Sequence, residues 1–300
     1  MNVRAISVSR KETMKKYLFL ASFLIVPLFL LIAFTLLPAV GVFGVGFLYW
    51  DGIGDPEFVG FRNFARIFSK AEYWQAFLNS GYYLVGAIVQ LALALFLAAL
   101  LTFPTKCRGF FRGVIFFPYL INGVAAGYMF YLFFEPDIGT LNSFLRLLGL
   151  TGAPNYLENT SINNILLAAV SIWRYLGLNF IMFLGVMASI EQDIYDAAAL
   201  DGANGAQVFR YIILPSIRSV LFLNMLLAVK GAISVFEVPY IITGGRFGTS
   251  SFVIEAYNIS FSSRPNVGMG SAMSSVLLVI VIIVSILQKL FFKEEKDDVS

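Results

Sequence analysis

The sequence of 300 residues contains no histidine and a single cysteine, Cys107. Without histidine, a Ser-His-Asp triad, a Cys-His pair and a histidine-ligated metal site are all excluded. One cysteine forms no internal disulfide, and we interpret it as a small packing residue rather than a redox group. The sequence also lacks the Gly-x-x-x-x-Gly-Lys phosphate loop, so the chain is not expected to hydrolyse ATP by that mechanism. We therefore predict no catalytic residues and no metal site.

Charged residues are also scarce, because they make up 13% of the chain while apolar residues make up 59%. A soluble domain has about 25% charged and about 45–50% apolar residues. Too little polar surface is present to cover a water-soluble particle of this size, so lipid is the predicted surrounding of the outer surface. The net charge of +3 is small and spread along the chain, and nucleic acid is not expected as a partner.

Six stretches of the chain are long and apolar enough to cross a bilayer, which takes about 20 residues. We predict a single all-α integral membrane domain over residues 1–300. The predicted spans are about 17–40, 79–103, 110–134, 163–190, 216–243 and 269–292. The first apolar run is longer than the roughly 7–15 residues of a signal peptide, so we interpret it as an uncleaved span. Pro27 and Pro38 are predicted to kink it.

The lysines and arginines predict the orientation, since cytoplasmic loops are enriched in both. With six spans, the two termini and the second and fourth loops share one side. That side holds thirteen of these residues and the other side holds six. The thirteen are Arg4, Arg10, Lys11, Lys15, Lys16, Lys106, Arg108, Arg112, Arg210, Arg218, Lys289, Lys293 and Lys296. Both termini are therefore predicted to be cytoplasmic.

The cytoplasmic loop at 191–215 has the pattern of a compact helix rather than a linker. Asp193, with Asp196 three positions later, is predicted to cap the start of this helix. The three alanines that follow give high helix propensity and a nearly bare surface. Gly202 is predicted to end the helix in a conformation with positive φ. Pro215 suits the first turn of the next span.

Ile194, Ala197 and Ala198 fall on one face of this predicted helix. The small side chains on that face would let another protein approach closely. The residues alone leave two interpretations open. The segment is either an ordinary helical hairpin on the membrane surface or a knob that docks to a partner.

The segment from Asp196 to Pro215 resembles the signature cytoplasmic loop of binding-protein-dependent ABC importer permeases. That signature is Glu-Ala-Ala, three residues, Gly and a later Leu-Pro, and Asp196 stands here in place of the Glu. The resemblance implies that a knob over residues 193–207 docks into an ATPase subunit, and the shorter Asp196 side chain would need a closer approach for any salt bridge. The implied coupling residues are Asp196, Ala197, Ala198, Asp201, Gly202 and Ala203.

Further motifs extend over nearly the whole chain: Trp50-Asp51-Gly52, Phe117-Pro118-Tyr119, Trp173 to Asn179, and Phe236 to Gly245. Together they resemble the first partner of the permease pair in maltose-type carbohydrate uptake systems. The resemblance implies a multi-pass subunit of a sugar importer in a bacterial or archaeal plasma membrane, working by alternating access. The implied partners are a second homologous permease, two ATPase subunits that bind the ATP, an extracytoplasmic sugar-binding protein, the sugar and membrane lipid. The chain is expected to carry no cofactor of its own.

Arg174, Lys230 and Glu237 are charged residues that lie well inside predicted spans, away from their ends. An ionised group at the centre of a span costs about 2.5–3.5 kcal/mol on insertion scales. These residues are therefore predicted to face a pathway, or to pair inside the bundle, for instance Glu237 with Arg174 or with Lys230. Tyr175 and Asn179 nearby supply the aromatic face and hydrogen-bonding groups that suit a sugar.

In the maltose-type relatives, the middle parts of the fourth and fifth spans hold the sugar. By position, the resemblance points to Arg174, Tyr175 and Leu178, and then to Ala228, Ala232 and Val235. The last three are small or apolar here, so the identity of the sugar is not carried over. The complete predicted pathway set is Arg174, Tyr175, Leu178, Asn179, Lys230, Ala232, Val235, Glu237 and, in the third span, Asn122.

Three alternatives remain open at this point. A stand-alone secondary transporter or channel needs ion or proton relays, and Glu237 is the single acidic candidate in the predicted spans. A membrane-embedded enzyme needs clustered carboxylates or histidines, which the spans lack. A permease for a non-sugar solute in the same superfamily would share the cytoplasmic loop but not the motifs at 173–179 and 236–245.

Overall fold

The computed structural model describes residues 10–102, 106–150 and 154–297, so Arg4 and residue 103 of the second predicted span lie outside the described residues. This part of the chain is mostly helical with almost no strand, and the predicted all-α membrane fold is confirmed. Two-residue strands, β1 (Leu48–Tyr49) and β2 (Glu57–Phe58), pair antiparallel with Leu48 opposite Phe58. The helices are α1 (Arg10–Leu31), α2 (Leu37–Val45), α3 (Arg62–Ser69), α4 (Ala71–Leu78), α5 (Ser80–Thr102), α6 (Arg108–Leu120), α7 (Gly123–Phe133), α8 (Thr140–Leu147), α9 (Asn163–Met187), α10 (Gln192–Leu200), α11 (Gly205–Val208), α12 (Leu214–Ile233), α13 (Glu237–Thr243), α14 (Phe252–Phe261) and α15 (Val267–Asp297).

Five helical stretches among the described residues are long and apolar enough to cross a membrane. They are Tyr17–Val45, Ala71–Thr102, Asn163–Met187, Gly205–Thr243 and Val267–Phe292, in agreement with five of the predicted spans. The predicted third span, 110–134, is not one continuous helix. It consists of α6 and α7, which are bent by 93° relative to each other.

The break between α6 and α7 has a local cause. Pro118 in the last turn of α6 has no N–H group to continue the helical ladder. Asn122 then adopts non-helical geometry, and its side chain accepts hydrogen bonds from the N–H groups of Val124, at 2.9 Å, and Ala125, at 3.4 Å. Asparagine is a preferred N-cap because it satisfies these first free donors. A new helix therefore begins at Gly123 in a new direction.

The bent pair nevertheless makes one crossing of the bundle. Asn79 before α5 and Asn164 in the first turn of α9 each donate to the Gly248 carbonyl at 3.0 Å. The same helices end together, where Thr102 Oγ1 lies 3.4 Å from Met187 Sδ. Since α5 and α9 run parallel, the chain must return across the bundle through α6 and α7, which gives six crossings. We call the end that holds Gly248 the upper end and the opposite end the lower end.

The centre of the bundle is the packing of α5 against α9 and α12. Small residues of α5, such as Ala94 and Ala98, are fully buried against Phe180 and Phe183 of α9. Close approach of helix backbones through small residues is the usual basis of helix association in lipid. On another face of α9, a Cβ added at Gly177 would lie 2.5 Å from a carbonyl oxygen of α6. The positions of these helices therefore depend on the absence of bulk at the contacts.

Two π-helical segments, Ile32–Leu36 and Phe209–Ile213, each end directly before a Leu-Pro pair. In both cases the leucine N–H, that of Leu37 or Leu214, bonds the carbonyl five residues earlier. The proline that follows has no donor and crowds the preceding turn, and one widened turn accommodates it without ending the helix. The kink predicted at Pro38 is thus a π insertion in a continuing helix.

Candidate functional site

A cavity of about 470 Å³ lies between α5, α9, α12 and the start of α13, in the upper half of the bundle. One wall is polar and is formed by Tyr83 and Gln90 of α5 with Tyr175 and Asn179 of α9. Tyr83, Gln90 and Asn179 are at most 7% exposed, and their side chains make no hydrogen bond with any residue in the described part of the chain. Buried polar groups in folded proteins normally have partners. The two amides therefore keep unused hydrogen-bonding capacity at the cavity wall, and the Tyr83 hydroxyl is buried without a partner.

The opposite wall of the cavity is apolar and belongs to α12 and the break that follows it. Leu227, Ala228, Ala232 and Val235 present aliphatic surface, and Phe236 adds an aromatic ring. A solute in this cavity meets hydrogen-bonding groups on one side and hydrocarbon on the other. The site therefore suits a molecule with both hydroxyl-rich edges and apolar faces.

An ion pair lies beside the cavity. Arg174 Nη1 donates to Glu237 Oε2 and, at 3.3 Å, to the Tyr175 hydroxyl. The Arg174 side chain is 12% exposed, whereas Glu237, which lines the cavity, is 37% exposed. Of the two partners considered for Glu237, the structure brings Arg174 to it and leaves Lys230 apart. A side chain at Gly123 would collide with both members of the pair.

The structure brings most of the predicted pathway residues together. Six of them line the cavity: Tyr175, Leu178, Asn179, Ala232, Val235 and Glu237. Arg174 does not line the cavity but contacts two residues that do, Glu237 and Tyr175. Contrary to the prediction, Lys230 and Asn122 lie outside the lining. Lys230 is exposed, and the Asn122 side chain is engaged in capping α7.

The contribution of α5 to the cavity was not predicted from the sequence. Tyr83, Ala87 and Gln90 follow the i, i+4, i+7 spacing of one helix face, and all three line the cavity. Gln90 is an amide in the middle of an otherwise apolar span, which is a signal that was available. Among the described residues, no group of three or more acidic, cysteine or histidine side chains is arranged to hold a metal ion.

A second candidate site is the short helix α10 at the lower end. It spans Gln192–Leu200 and ends, as predicted, before Gly202, which has φ +74°. The predicted knob over 193–207 consists of two short helices, because Gly202 ends α10 as predicted and Asn204 and Gln207 form a capping box that starts α11. The predicted cap at Asp193 is also wrong. Glu191 is the N-cap residue without a side-chain bond, and Asp193 lies in the first turn, where its charge favours the helix dipole.

The two faces of α10 differ from the prediction. Ala198 is half-buried against the lower core together with Tyr195, and Ala203 packs there with its N–H 2.9 Å from the Ala198 carbonyl. Burial raises the pKa of the Tyr195 hydroxyl. Ile194 and Ala197 point outward instead. Ala198 therefore faces the core, while Ile194 and Ala197, predicted on the same face, do not. The rotation of α10 could not be predicted because alanines lie on both of its sides.

Four of the six predicted coupling residues lie on the exposed surface of this segment: Asp196, Ala197, Asp201 and Gly202. Asp196 accepts a hydrogen bond from Gln192 at 3.0 Å. Leu200 is 89% exposed, which is unusual for a leucine outside lipid. The outward surface of α10 and its C-terminal turn therefore combines apolar and acidic groups with very small side chains.

Comparison with known proteins gives consistent matches over most of the chain. Residues 90–296 match the family described as "Binding-protein-dependent transport system inner membrane component". The chain is 30% identical over 289 residues to the probable ABC transporter permease protein YurN of Bacillus subtilis, covering 94% of this chain and 97% of that one. It is 28% identical over 263 residues to the trehalose/maltose transport system permease protein MalF of Thermococcus litoralis, covering 86% and 88%.

Among solved structures, a similar fold occurs in a bacterial ABC transporter involved in the import of the acidic polysaccharide alginate. The TM-score is 0.81 at 18% sequence identity, and the match covers 94% of this chain and 98% of that chain. At this identity the similarity concerns the fold.

Proposed function

Since the chain belongs to the family of binding-protein-dependent transport system inner membrane components, we propose that it is the permease subunit of an ATP-driven importer of sugars or oligosaccharides. The trehalose/maltose system among its relatives supports sugar as the solute class. One structural observation carries the assignment, namely the two-sided cavity with buried Tyr83, Gln90 and Asn179 lacking partners. A sugar offers hydroxyls to such groups and its C–H faces to the aliphatic wall.

The direct test is uptake of radiolabelled maltose, trehalose and maltotriose by the complete transporter in proteoliposomes. We expect accumulation that requires ATP, the ATPase subunits and the binding protein. Uptake by this chain alone would instead indicate a stand-alone transporter. Uptake of a non-sugar solute but none of a wider sugar panel would indicate a permease of another specificity.

Coupling to the ATPase subunits is proposed to occur through α10 and its C-terminal turn. The observations in favour are the exposed Ile194 and Leu200 beside the acidic Asp196. Leucine at Gly202 would have to adopt φ +74°, which costs a non-glycine residue about 1–2 kcal/mol and displaces the turn. Gly202→Leu is expected to abolish uptake and retention of the ATPase subunits during purification, while the chain still inserts into the membrane.

Gly205→Leu is the matched control for this variant. Like Gly202, Gly205 has open space around its Cβ position, but it lacks the positive φ. We expect the Gly205 variant to keep most of the uptake. Normal transport by Gly202→Leu, or equal loss in both variants, would contradict the proposed role of this turn.

We also propose that both termini and α10 face the cytoplasm, where the two ATPase subunits bind the ATP, and that a second homologous permease completes the pathway. The excess of basic residues on that side supports this orientation. Cys107 offers a test, because it is exposed in the connection between α5 and α6 at the lower end rather than packed as predicted. A membrane-impermeant maleimide should label it in inverted vesicles and not in right-side-out vesicles, and the reverse result would overturn the orientation.

The proposed transport cycle is alternating access of the cavity. Closure of the ATPase subunits would displace α10, and the bundle would move so that the cavity opens first to one side and then to the other. The residues on the cavity walls hold the sugar, and the ATP is bound by the partners rather than by this chain. The substrate-contacting set is then Tyr83, Gln90, Tyr175, Asn179 and the aliphatic wall of α12.

A further inference from the structure

Four aromatic rings form a continuous series that starts in the cavity. Phe236 lines the cavity and stacks on Tyr240 of α13, with ring centroids 4.7 Å apart and an interplanar angle of 18°. Tyr257 of α14 lies 5.5 Å from Phe236 and 5.2 Å from Tyr240. Phe261, one turn further along α14, lies 5.0 Å from Tyr257. Each ring is thus in contact with the next from the cavity to the end of α14.

This series becomes progressively more exposed along its course. Phe236 and Tyr240 are half-buried, Tyr257 is 39% exposed and Phe261 is 72% exposed. None of these four residues belongs to the three hydrophobic cores found in the described part of the chain. Packing within the chain therefore does not explain why four large rings adjoin one another here. They form an aromatic surface that begins at Phe236 in the cavity and ends at the exposed Phe261.

We propose that these four rings are an entry track for the sugar, and this inference rests on the proposed function. The apolar C–H face of a pyranose ring packs on the face of an aromatic ring, while its hydroxyls remain in water or reach a tyrosine hydroxyl. Because successive centroids are only about one ring apart, a sugar keeps contact with one ring while it reaches the next. The track holds a sugar released at the upper end and delivers it to Phe236 in the cavity.

Contact with lipid or with a partner subunit is the competing explanation of the same rings. Tyrosine is enriched at membrane interfaces, and tyrosine and phenylalanine are enriched in protein interfaces, so aromatic character alone does not separate the two explanations. Continuity with the polar cavity favours the sugar. Tyr128 and Tyr131 on α7 are an exposed pair of rings with centroids 5.9 Å apart, and they do not line the cavity. Contact with lipid explains such an isolated pair.

The test compares variants of Tyr257 and Phe261 in the complete transporter, with maltose, trehalose and maltotriose as probes. The measured quantity is the number of sugar molecules accumulated per ATP hydrolysed. For the double variant Tyr257→Leu with Phe261→Leu, we expect this ratio to fall roughly 3-fold or more, because sugar escapes before it reaches the cavity. The rate of ATP hydrolysis stimulated by the loaded binding protein should stay near the wild-type rate. The conservative variant Tyr257→Phe should keep the ratio.

Tyr131→Leu is the matched control, since it removes an equally exposed aromatic ring that lies off the track. It should leave the ratio unchanged. An unchanged ratio in the double leucine variant would overturn the track and assign the rings to lipid or protein contact. An equal fall in hydrolysis and uptake would also overturn it, because that pattern indicates lost assembly. Failure of the wild-type transporter to accumulate any sugar would instead refute the proposed function itself.

Discussion

The variant Glu237→Ala leaves the Arg174 guanidinium charged where only 12% of its side chain is exposed. Deleting one partner of a buried ion pair typically costs about 3–5 kcal/mol, because the remaining charge is neither paired nor hydrated. Arg174 Nε already lacks a hydrogen-bond partner, and the Tyr175 hydroxyl is the one other acceptor that the guanidinium contacts among the described residues. We therefore expect this variant to lower the free energy of unfolding by about 3 kcal/mol.

The reverse variant should cost less. Arg174→Ala leaves the Glu237 carboxylate unpaired, but that side chain is 37% exposed and faces the cavity, where water hydrates it. Ion pairs that are open to solvent contribute about 0.2–1 kcal/mol. We expect a loss of about 1 kcal/mol for Arg174→Ala. The asymmetry follows from the different exposure of the two side chains and not from the strength of their mutual bond.

A double variant separates the pair itself from the burial of a lone charge. Arg174→Met combined with Glu237→Gln removes both charges and retains similar volumes. Since a buried pair replaced by neutral groups of similar shape is often tolerated, we expect its stability to return to within about 1 kcal/mol of wild type. Reversible unfolding in mixed micelles, followed by tryptophan fluorescence, measures all three variants. Equal losses in the two single variants, or a double variant as unstable as Glu237→Ala, would refute this reasoning.

Two other predictions concern backbone contacts. A Cβ added at Gly177 would lie 2.5 Å from a carbonyl oxygen of α6. Gly177→Ala should therefore lower the free energy of unfolding by about 1–3 kcal/mol in the same unfolding assay. Gly185→Ala is the control, because Gly185 has open space around its Cβ position and this variant should not destabilise the fold. The backbone N–H of Ile53, followed by that of Gly54, donates to the Asp51 carboxylate and holds the pKa of Asp51 below its ordinary range. The contribution of Asp51 to its turn is present above the ordinary aspartate range and disappears as the pH falls through the lowered pKa. Trp50 closes the same turn, since its Nε1 donates to the Gly54 carbonyl at 2.6 Å. In a variant with no other tryptophan, the fluorescence of Trp50 should therefore change as the pH falls. This pH-dependent change should be absent when Asp51→Asn is added.

The membrane crossings were predictable because lipid imposes one requirement on every span. Each must be a helix of sufficient length with apolar side chains, and this requirement is visible in composition. The interruption after Leu120 was not predicted, since hydropathy continues unchanged through Ile121. The local chemistry was present in Pro118 and in the Asn122 cap, but an asparagine in an apolar run looked like a pathway residue rather than a cap.

The candidate site was predictable only in part, because hydropathy does not fix the rotation of a helix. Residues of α9 and α12 were selected by resemblance, and most of them do line the cavity. Lys230 is exposed and does not line the cavity, although it is only two residues from Ala232 on the cavity wall. The rotation of α10 was equally ambiguous, since alanines lie on both of its faces. Contacts across the bundle, which no local pattern contains, decide these orientations.

The packing of the lower end suggests how a displacement of α10 reaches the cavity. Tyr195 and Ala198 of α10 pack on the cluster that contains Met187, at the end of α9, and Ile217, in the first turn of α12. At about 1.5 Å of rise per residue, Met187 lies roughly 12 Å along α9 from Asn179 on the polar wall. The aliphatic wall belongs to α12, which begins in the same cluster. Because the two walls belong to different rigid helices, a push on α10 that moves these helices unequally must change the width of the cavity between them. In the proposed cycle, that dependence would give the short helix at the lower end a direct mechanical influence on the proposed sugar site.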